Sequence, residues 1–277
     1  MKIEQTHIRK FLLVAGGAVL IALLFVLCAT AWFYMGSPSE TKERFAAAAG
    51  IPLGKVGGRY IGADEVMAWS TAATKTTLPE GYSLSESLSL RAVADGKVGV
   101  SSGDIVLATQ ALGQDAEYVK YSQAVGTDVA ARTVLTDFVL GYKLRQWYAQ
   151  HSELEPAFQK QVEQVKTAFT KGQDFNTVAT AYSADLATKY FSGDLGYIDV
   201  SEAVPEYAEA VEKLEKNKLT VVYTRYGVHF VELLDTVLNG QKTMVKLREV
   251  VVEPQQFDVW LASEVSKQKT TWYYGRK

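Results

Sequence analysis

The sequence predicts an α+β protein with a membrane-spanning helix, a helical module, and an antiparallel sheet packed with helices. Three observations carry this expectation. Residues 11–34 form an apolar run without a charged side chain. Further on, apolar residues recur at helical spacing, as in Phe158, Val162, Val165 and Phe169. From Leu219 to Val252 the chain turns to β-formers: "LTVVYT", "VHFVELLDTV" and "KTMVKLREVVV", separated by "RYG" and "LNG".

At 1.5 Å per residue the first run spans roughly 36 Å, enough for a hydrocarbon core of about 30 Å. Lys2, Arg9 and Lys10 precede it, and Trp32, Phe33 and Tyr34 close it like an interfacial belt. The basic tail is expected inside, which puts everything after about residue 36 outside the cytoplasm. The competing reading is a cleaved signal peptide, because "ATA" (Ala29 to Ala31) resembles a processing site; the run is long for that. Leu27 before Cys28 argues against a lipoprotein. On either reading the remainder is exported, and a single cysteine leaves it no internal disulfide.

After the polar linker "GSPSETKE", "KVGGRYIGADEVMAWS" reads as a strand interrupted by Gly-Gly and then a helix. Residues 75–100 read as irregular, with turns at "PEG" and "ADGK". "TDVAARTVLTDFVLGYKLRQWYAQH" is a helix, with Thr127 or Asp128 as cap. Pro156 opens the next helix and Gly172 ends it. A shorter helix buries Phe175, Val178, Ala179 and Tyr182. The turn "SGDLGYI" follows. Pro205 then opens a helix with Tyr207, Ala210, Val211 and Leu214 on its buried side. Beyond the β-rich runs come an amphipathic helix (Phe257, Trp260, Leu261, Val265) and the aromatic run "TTWYY". The expected division is 1–36 tail and anchor, 37–151 helical module, 152–252 sheet domain, and 253–277 a helix and strand packing back on the helical module, with "KVGGRYI" as strand partner.

Composition excludes several classes. Net charge is −2, and Lys and Arg are interleaved with Asp and Glu, so no basic stripe favours nucleic acid. His7, His151 and His229 are scattered and Cys28 is alone, so no metal site and no cofactor are expected.

Four motifs lie in order between about Phe158 and Val237: "DFNTVATAYSAD", "SGDLGYI", "VPEYAEAVEKL" and "TRYGVHFVELLD". Together this stretch resembles the parvulin (PpiC-like) type of peptidyl-prolyl isomerase. Upstream, "VGGRYIGADEVMAWS" and the helices up to His151 resemble the N-terminal chaperone module of SurA- and PrsA-type exported foldases. The resemblance implies a parvulin-like antiparallel sheet with helices. It implies His229 as the family's histidine on the last strand, Asp185 at the central acid-or-cysteine position, and Thr224 as the threonine bonded to the histidine. It makes Leu195 a wall of a proline pocket, Tyr207 the aromatic pocket position and Ala203 the other apolar one, with Tyr226 beside them on the substrate side. The plainer readings stand alongside: Leu195 and Tyr207 as core, His229 as a satisfied core histidine, Asp185 as a turn aspartate.

The chain departs from the pattern in one place. A parvulin domain usually begins with a strand carrying a second histidine, but residues 142–155 read as helix and linker. "VKLREVVV" (Val245 to Val252) resembles that strand moved to the end, with Glu249 at the histidine position, which would make the domain a circular permutation. A three-residue loop, Leu238–Asn239–Gly240, would set Glu249 opposite His229. A two-residue Asn-Gly loop would send Glu249 to the other face. The three-residue form is the expectation.

The function the resemblance implies is a membrane-anchored extracytoplasmic foldase that isomerises X–Pro bonds in unfolded exported polypeptides. The alternatives are a holdase chaperone that keeps the fold without catalysis, and a scaffold subunit. Isomerisation needs no covalent chemistry. The barrier is about 18–20 kcal/mol, and a site that binds the twisted amide better than the planar one lowers it.

Overall fold

The computed structural model describes Trp32 and residues 39–78, 83–240 and 242–273. Apart from Trp32, the expected membrane-spanning run lies outside these residues. Among the described residues no helix is long and apolar enough to cross a membrane.

The chain divides into two units that interleave along the sequence. Among the described residues, the first comprises those up to position 92, together with 120–133 and 268–273. Its helix α1 (Glu40–Ala49) starts where the Ser39 side chain accepts from Lys42 N, and stops at Gly50 with φ 65°. Strands β1 (Gly54–Val56) and β2 (Arg59–Ile61) form a hairpin across Gly57-Gly58, and α2 (Ala63–Lys75) follows. The C-terminal strand Thr270–Trp272 adds to the free edge of β1, with Gly54 opposite Trp272. Ala46, Leu53, Val56, Ile61, Val66 and Leu88 form the core of this unit, and Trp272 packs against it. Leu88 belongs to α3 (Leu84–Ala94), a helix in the stretch expected to be irregular.

The second unit comprises residues 93–119 and 134–267. Its helices include α4 (Ser102–Leu112), and α5 (Ala116–Val125) begins within it. A π turn at Ala131–Leu135 leads into α6 (Thr136–Gln150). Helix α7 (Pro156–Thr170) is followed by α8 (Phe175–Tyr182), whose first turn is capped by Asp174. Then come β3 (Asp194–Asp199), α9 (Pro205–Val211), β4 (Leu219–Thr224), β5 (Gly227–Asn239), β6 (Lys242–Val252) and α10 (Phe257–Ser266). The expected boundary at 151/152 is not where the units divide. Helix α6 goes with the sheet because Ala149 enters its core and Tyr148 meets Phe257 of α10 at 5.6 Å. Of residues 253–277, α10 belongs to this unit, and only the terminal strand belongs to the first.

The sheet runs β3-β6-β5-β4, with every pairing antiparallel. Strand β6 thus lies between β3 and β5. Both faces of β5 and β6 are covered. Val228, Phe230, Val250 and Val252 face Phe158, Val165, Phe175 and Val178. On the other face Val231, Leu233, Val245 and Leu247 pack with Tyr207 and Val211 of α9. Alternation puts His229 and Glu249 on this second face.

The β5–β6 register corrects the loop expectation. Asn239 pairs with Lys242, so only positions 240 and 241 lie between them, and Gly240 sits at φ 67°. That turn alone would carry Glu249 to the face opposite His229. One extra residue, Leu234, lies in the shift between Leu233 and Asp235 and restores the face. Glu249 then opposes Val231, and His229 opposes Val251.

Candidate functional site

The glycine turn is built against β6. Gly193 has φ 69°, and its carbonyl accepts Glu249 N at 2.9 Å. A Cβ there would lie 2.1 Å from Glu249 O, so only glycine fits. Leu195 follows as the extra residue of a bulge between Asp194 and Gly196, and it packs, partly buried, against the Tyr207–Leu247 cluster.

Above that cluster runs a buried polar chain. His229 Nε2 lies 2.8 Å from Thr224 Oγ1, and Nδ1 lies 2.9 Å from Glu249 Oε2. The Tyr207 hydroxyl donates to the same Oε2 at 2.8 Å. A carboxylate only accepts, so the His229 Nδ1–H and the Tyr207 O–H share one oxygen of Glu249. Thr224 is fully buried, and His229, Glu249 and Tyr207 are 6 to 7% exposed. The Tyr207 ring stands edge-on to the imidazole at 5.4 Å. Burial first, and then the neighbouring Glu249, push the Tyr207 hydroxyl far above the usual tyrosine range. The chain places a carboxylate, an imidazole and a phenol, all buried, beside an aliphatic cluster.

Of the residues singled out from sequence, the structure brings together Thr224, His229, Glu249 and Tyr207, with Leu195 in the adjoining cluster. Asp185 does not join the chain of hydrogen bonds. Its carboxylate accepts from Ala187 N at 3.0 Å and from the Thr188 hydroxyl, so it shapes its own turn. That turn starts just after Ala184, whose N–H donates to Val251 O, opposite His229. Ala203 packs at the edge of the apolar cluster and also lines a cavity of about 480 Å³ with Tyr197, Asp199, Lys242 and Met244. Met244 lies seven residues along β6 from Val251, roughly 23 Å at strand spacing, so this cavity is remote from the imidazole. Tyr226 is 55% exposed in the β4–β5 turn, and its N–H donates to Thr224 Oγ1 at 3.1 Å.

Sequence reasoning passed over Glu206 and Arg225. Arg225 Nε and Nη2 fork onto the two Glu206 oxygens at 2.7 and 2.9 Å, and Arg225 N adds a third bond at 3.1 Å. Burial alone would raise the Glu206 carboxyl, but the Arg225 bonds prevail and hold it below its ordinary value. The available signal was their position: opposite charges, each next to a residue already singled out. Among the described residues no group of three or more His, Cys, Asp or Glu side chains could hold a metal ion.

Residues 118–237 match the family described as the PPIC-type PPIASE domain. That stretch is similar to a parvulin-type domain. Strand β6 lies beyond the matched residues. Over 115 residues the chain is 28% identical to Chaperone SurA of Nitrosococcus oceani, covering 39% of this chain and 27% of that protein. It is 33% identical over 100 residues to Foldase protein PrsA of Caldanaerobacter subterraneus, covering 32% of this chain and 33% of that protein. These matches thus span a third or less of the relatives' lengths. A crystal structure of PrsA from Bacillus cereus aligns over 75% of this chain and 80% of that one, at 17% identity and TM-score 0.24, too low to bear on the fold. The matched residues include Leu195, Ala203, Tyr207, Thr224, Tyr226 and His229, and Glu249 lies outside them.

Proposed function

We propose that this chain is an extracytoplasmic foldase, held to the membrane by residues 11–34, whose parvulin-type domain isomerises X–Pro bonds in unfolded exported polypeptides. The observation that carries the reading is the buried chain Thr224–His229–Glu249–Tyr207 lying against the Leu195 cluster. In this reading Leu195 and Tyr207 receive the proline ring, with Ala203 and Tyr226 flanking the polypeptide. His229, Glu249 and Thr224 set polarity beside the bond, and Asp185 shapes the loop next to it. The planar amide is the more polar form, so a dry site favours the twisted one, and that difference in binding is the whole catalytic effect. The position of β6 between β3 and β5 supports a circularly permuted parvulin sheet.

The test is an X–Pro peptide isomerisation assay on the purified chain and on Glu249→His. Acceleration by the wild type, increased in the variant, supports the reading. A rate equal to the uncatalysed one in both removes it.

One observation favours a second reading. Both imidazole nitrogens already have internal partners, and one is a buried carboxylate, which opposes entry of an amide that must shed water. The domain is then a holdase that binds unfolded chains without catalysis. Suppression of client aggregation, unchanged in His229→Ala, supports that alternative.

A further inference from the structure

Six residues close a ring. Thr224 meets His229, His229 meets Glu249, and Glu249 meets Tyr207 through hydrogen bonds. Tyr207 is joined to Glu206 by a peptide bond, Glu206 to Arg225 by a two-pronged ion pair, and Arg225 to Thr224 by a peptide bond. We propose that the Glu206–Arg225 pair is a positioning clamp: it holds the Tyr207 hydroxyl on Glu249 and the Thr224 hydroxyl on His229 by locking α9 to the β4–β5 turn. Its effect on catalysis rests on the isomerase reading; its effect on the geometry does not.

Three features separate this pair from an ordinary surface salt bridge, which is worth about 0–1 kcal/mol. Its side chains are only 17% and 8% exposed. The guanidinium and carboxylate meet in the planar fork that fixes orientation as well as distance. One face of the guanidinium is covered by Tyr142 of α6, whose ring centre is 3.9 Å from Cζ. One turn further along α6, Gln146 Nε2 donates to Tyr223 O at 3.0 Å, so the strand is held just before Thr224 as well.

The consequence follows from where the clamp attaches. Neither Glu206 nor Arg225 touches the imidazole, but each is the chain neighbour of a hydroxyl that does, or that touches its carboxylate. With the fork released, α9 and the turn are free to shift relative to each other, and the two hydroxyls lose their common frame. A displacement near 1 Å at a reacting centre can cost as much as ~100-fold in rate.

The experiment uses the full chain in detergent, with ¹⁵N-labelled imidazoles. There are three histidines, so the His229 ring signals are assignable by comparison with His229→Ala. Arg225→Gln is expected to move the His229 Nδ1 and Nε2 resonances. It is also expected to lower kcat on an X–Pro peptide by roughly tenfold with KM little changed, as lost orientation does. The exchanged pair Glu206→Arg with Arg225→Glu is expected to recover part of both. If Arg225→Gln does not fold, Arg225→Lys, which keeps the charge and loses the fork, is read by the same resonances. Imidazole resonances that match the wild type in the folded fork-less variant overturn the clamp, whether or not the protein isomerises anything. A wild type without isomerase activity defeats the isomerase reading and leaves the resonances to decide the clamp.

Discussion

His229 Nδ1 lies 2.9 Å from Glu249 Oε2, yet the two residues are not partners in the β-ladder. The residue opposite Glu249 is Val231, and the residue opposite His229 is Val251. The contact is a diagonal one across neighbouring pairs on a single face, within reach of long side chains. It exists because the one-residue bulge at Leu234 offsets the tight turn at Gly240. Deleting Leu234 should therefore remove the bulge and leave the His229–Glu249 contact in place, because Leu233 and Asp235 would then pair consecutively with Leu247 and Lys246; unchanged His229 imidazole resonances check it.

Glu249 serves two donors, so its loss is costly. In Glu249→Leu the Tyr207 hydroxyl and the His229 N–H lose their acceptor, at about 1–3 kcal/mol for each orphaned group. Tyr207→Phe alone is expected to cost about 1 kcal/mol, the net worth of one hydrogen bond. In a double-mutant cycle the two changes should be non-additive by roughly 0.5–3 kcal/mol, read from urea unfolding.

Gly193→Ala should destabilise the domain and disturb the site together. The left-handed backbone alone costs an alanine about 1–2 kcal/mol. The added Cβ would also meet Glu249 O at 2.1 Å, and that backbone cannot move without shifting β6. The expected result is a lowered urea midpoint and a moved Glu249 amide resonance. Gly240→Ala, with nothing within 4 Å of its added Cβ, should show the backbone penalty alone.

Acid should weaken the fold over a defined window. The hydrogen bond from Lys242, with those of Ser201, holds the Asp199 carboxyl down at about 2. Lys216, with Tyr197, does the same for Asp235, also to about 2. An unfolded aspartate titrates near ~3.9. The unfolded chain thus binds more protons between these values, and the stability from both groups is complete above about pH 4 and lost as pH falls toward 2. Urea midpoints measured from pH 5 to pH 2 should fall across that interval, and less steeply in Asp199→Asn and Asp235→Asn.

Much of the fold was legible because its signals are local. Pro156 and Pro205 open α7 and α9, and the residues of "VKLREVVV" lie along β5 as the resemblance implied. The register was not legible, since a bulge at Leu234 leaves no mark in a run of β-formers; the expected loop was wrong, though the facing of Glu249 came out the same. The division of the chain was not legible either. Whether α6 joins the sheet is decided by Ala149 and Tyr148 meeting residues far along the chain, not by a break in composition. At the site, Asp185 shows how a motif position can be satisfied by its own turn.

The most direct measurement is exchange NMR on an apolar-residue–Pro peptide mixed with substoichiometric protein, wild type against Leu195→Arg, which fills the proposed proline hollow with a charge. The account predicts cis–trans exchange cross-peaks well above the uncatalysed rate with wild type, and their loss in Leu195→Arg while client-binding elsewhere persists. Exchange at the uncatalysed rate with folded wild type, or equal acceleration by both proteins, contradicts it.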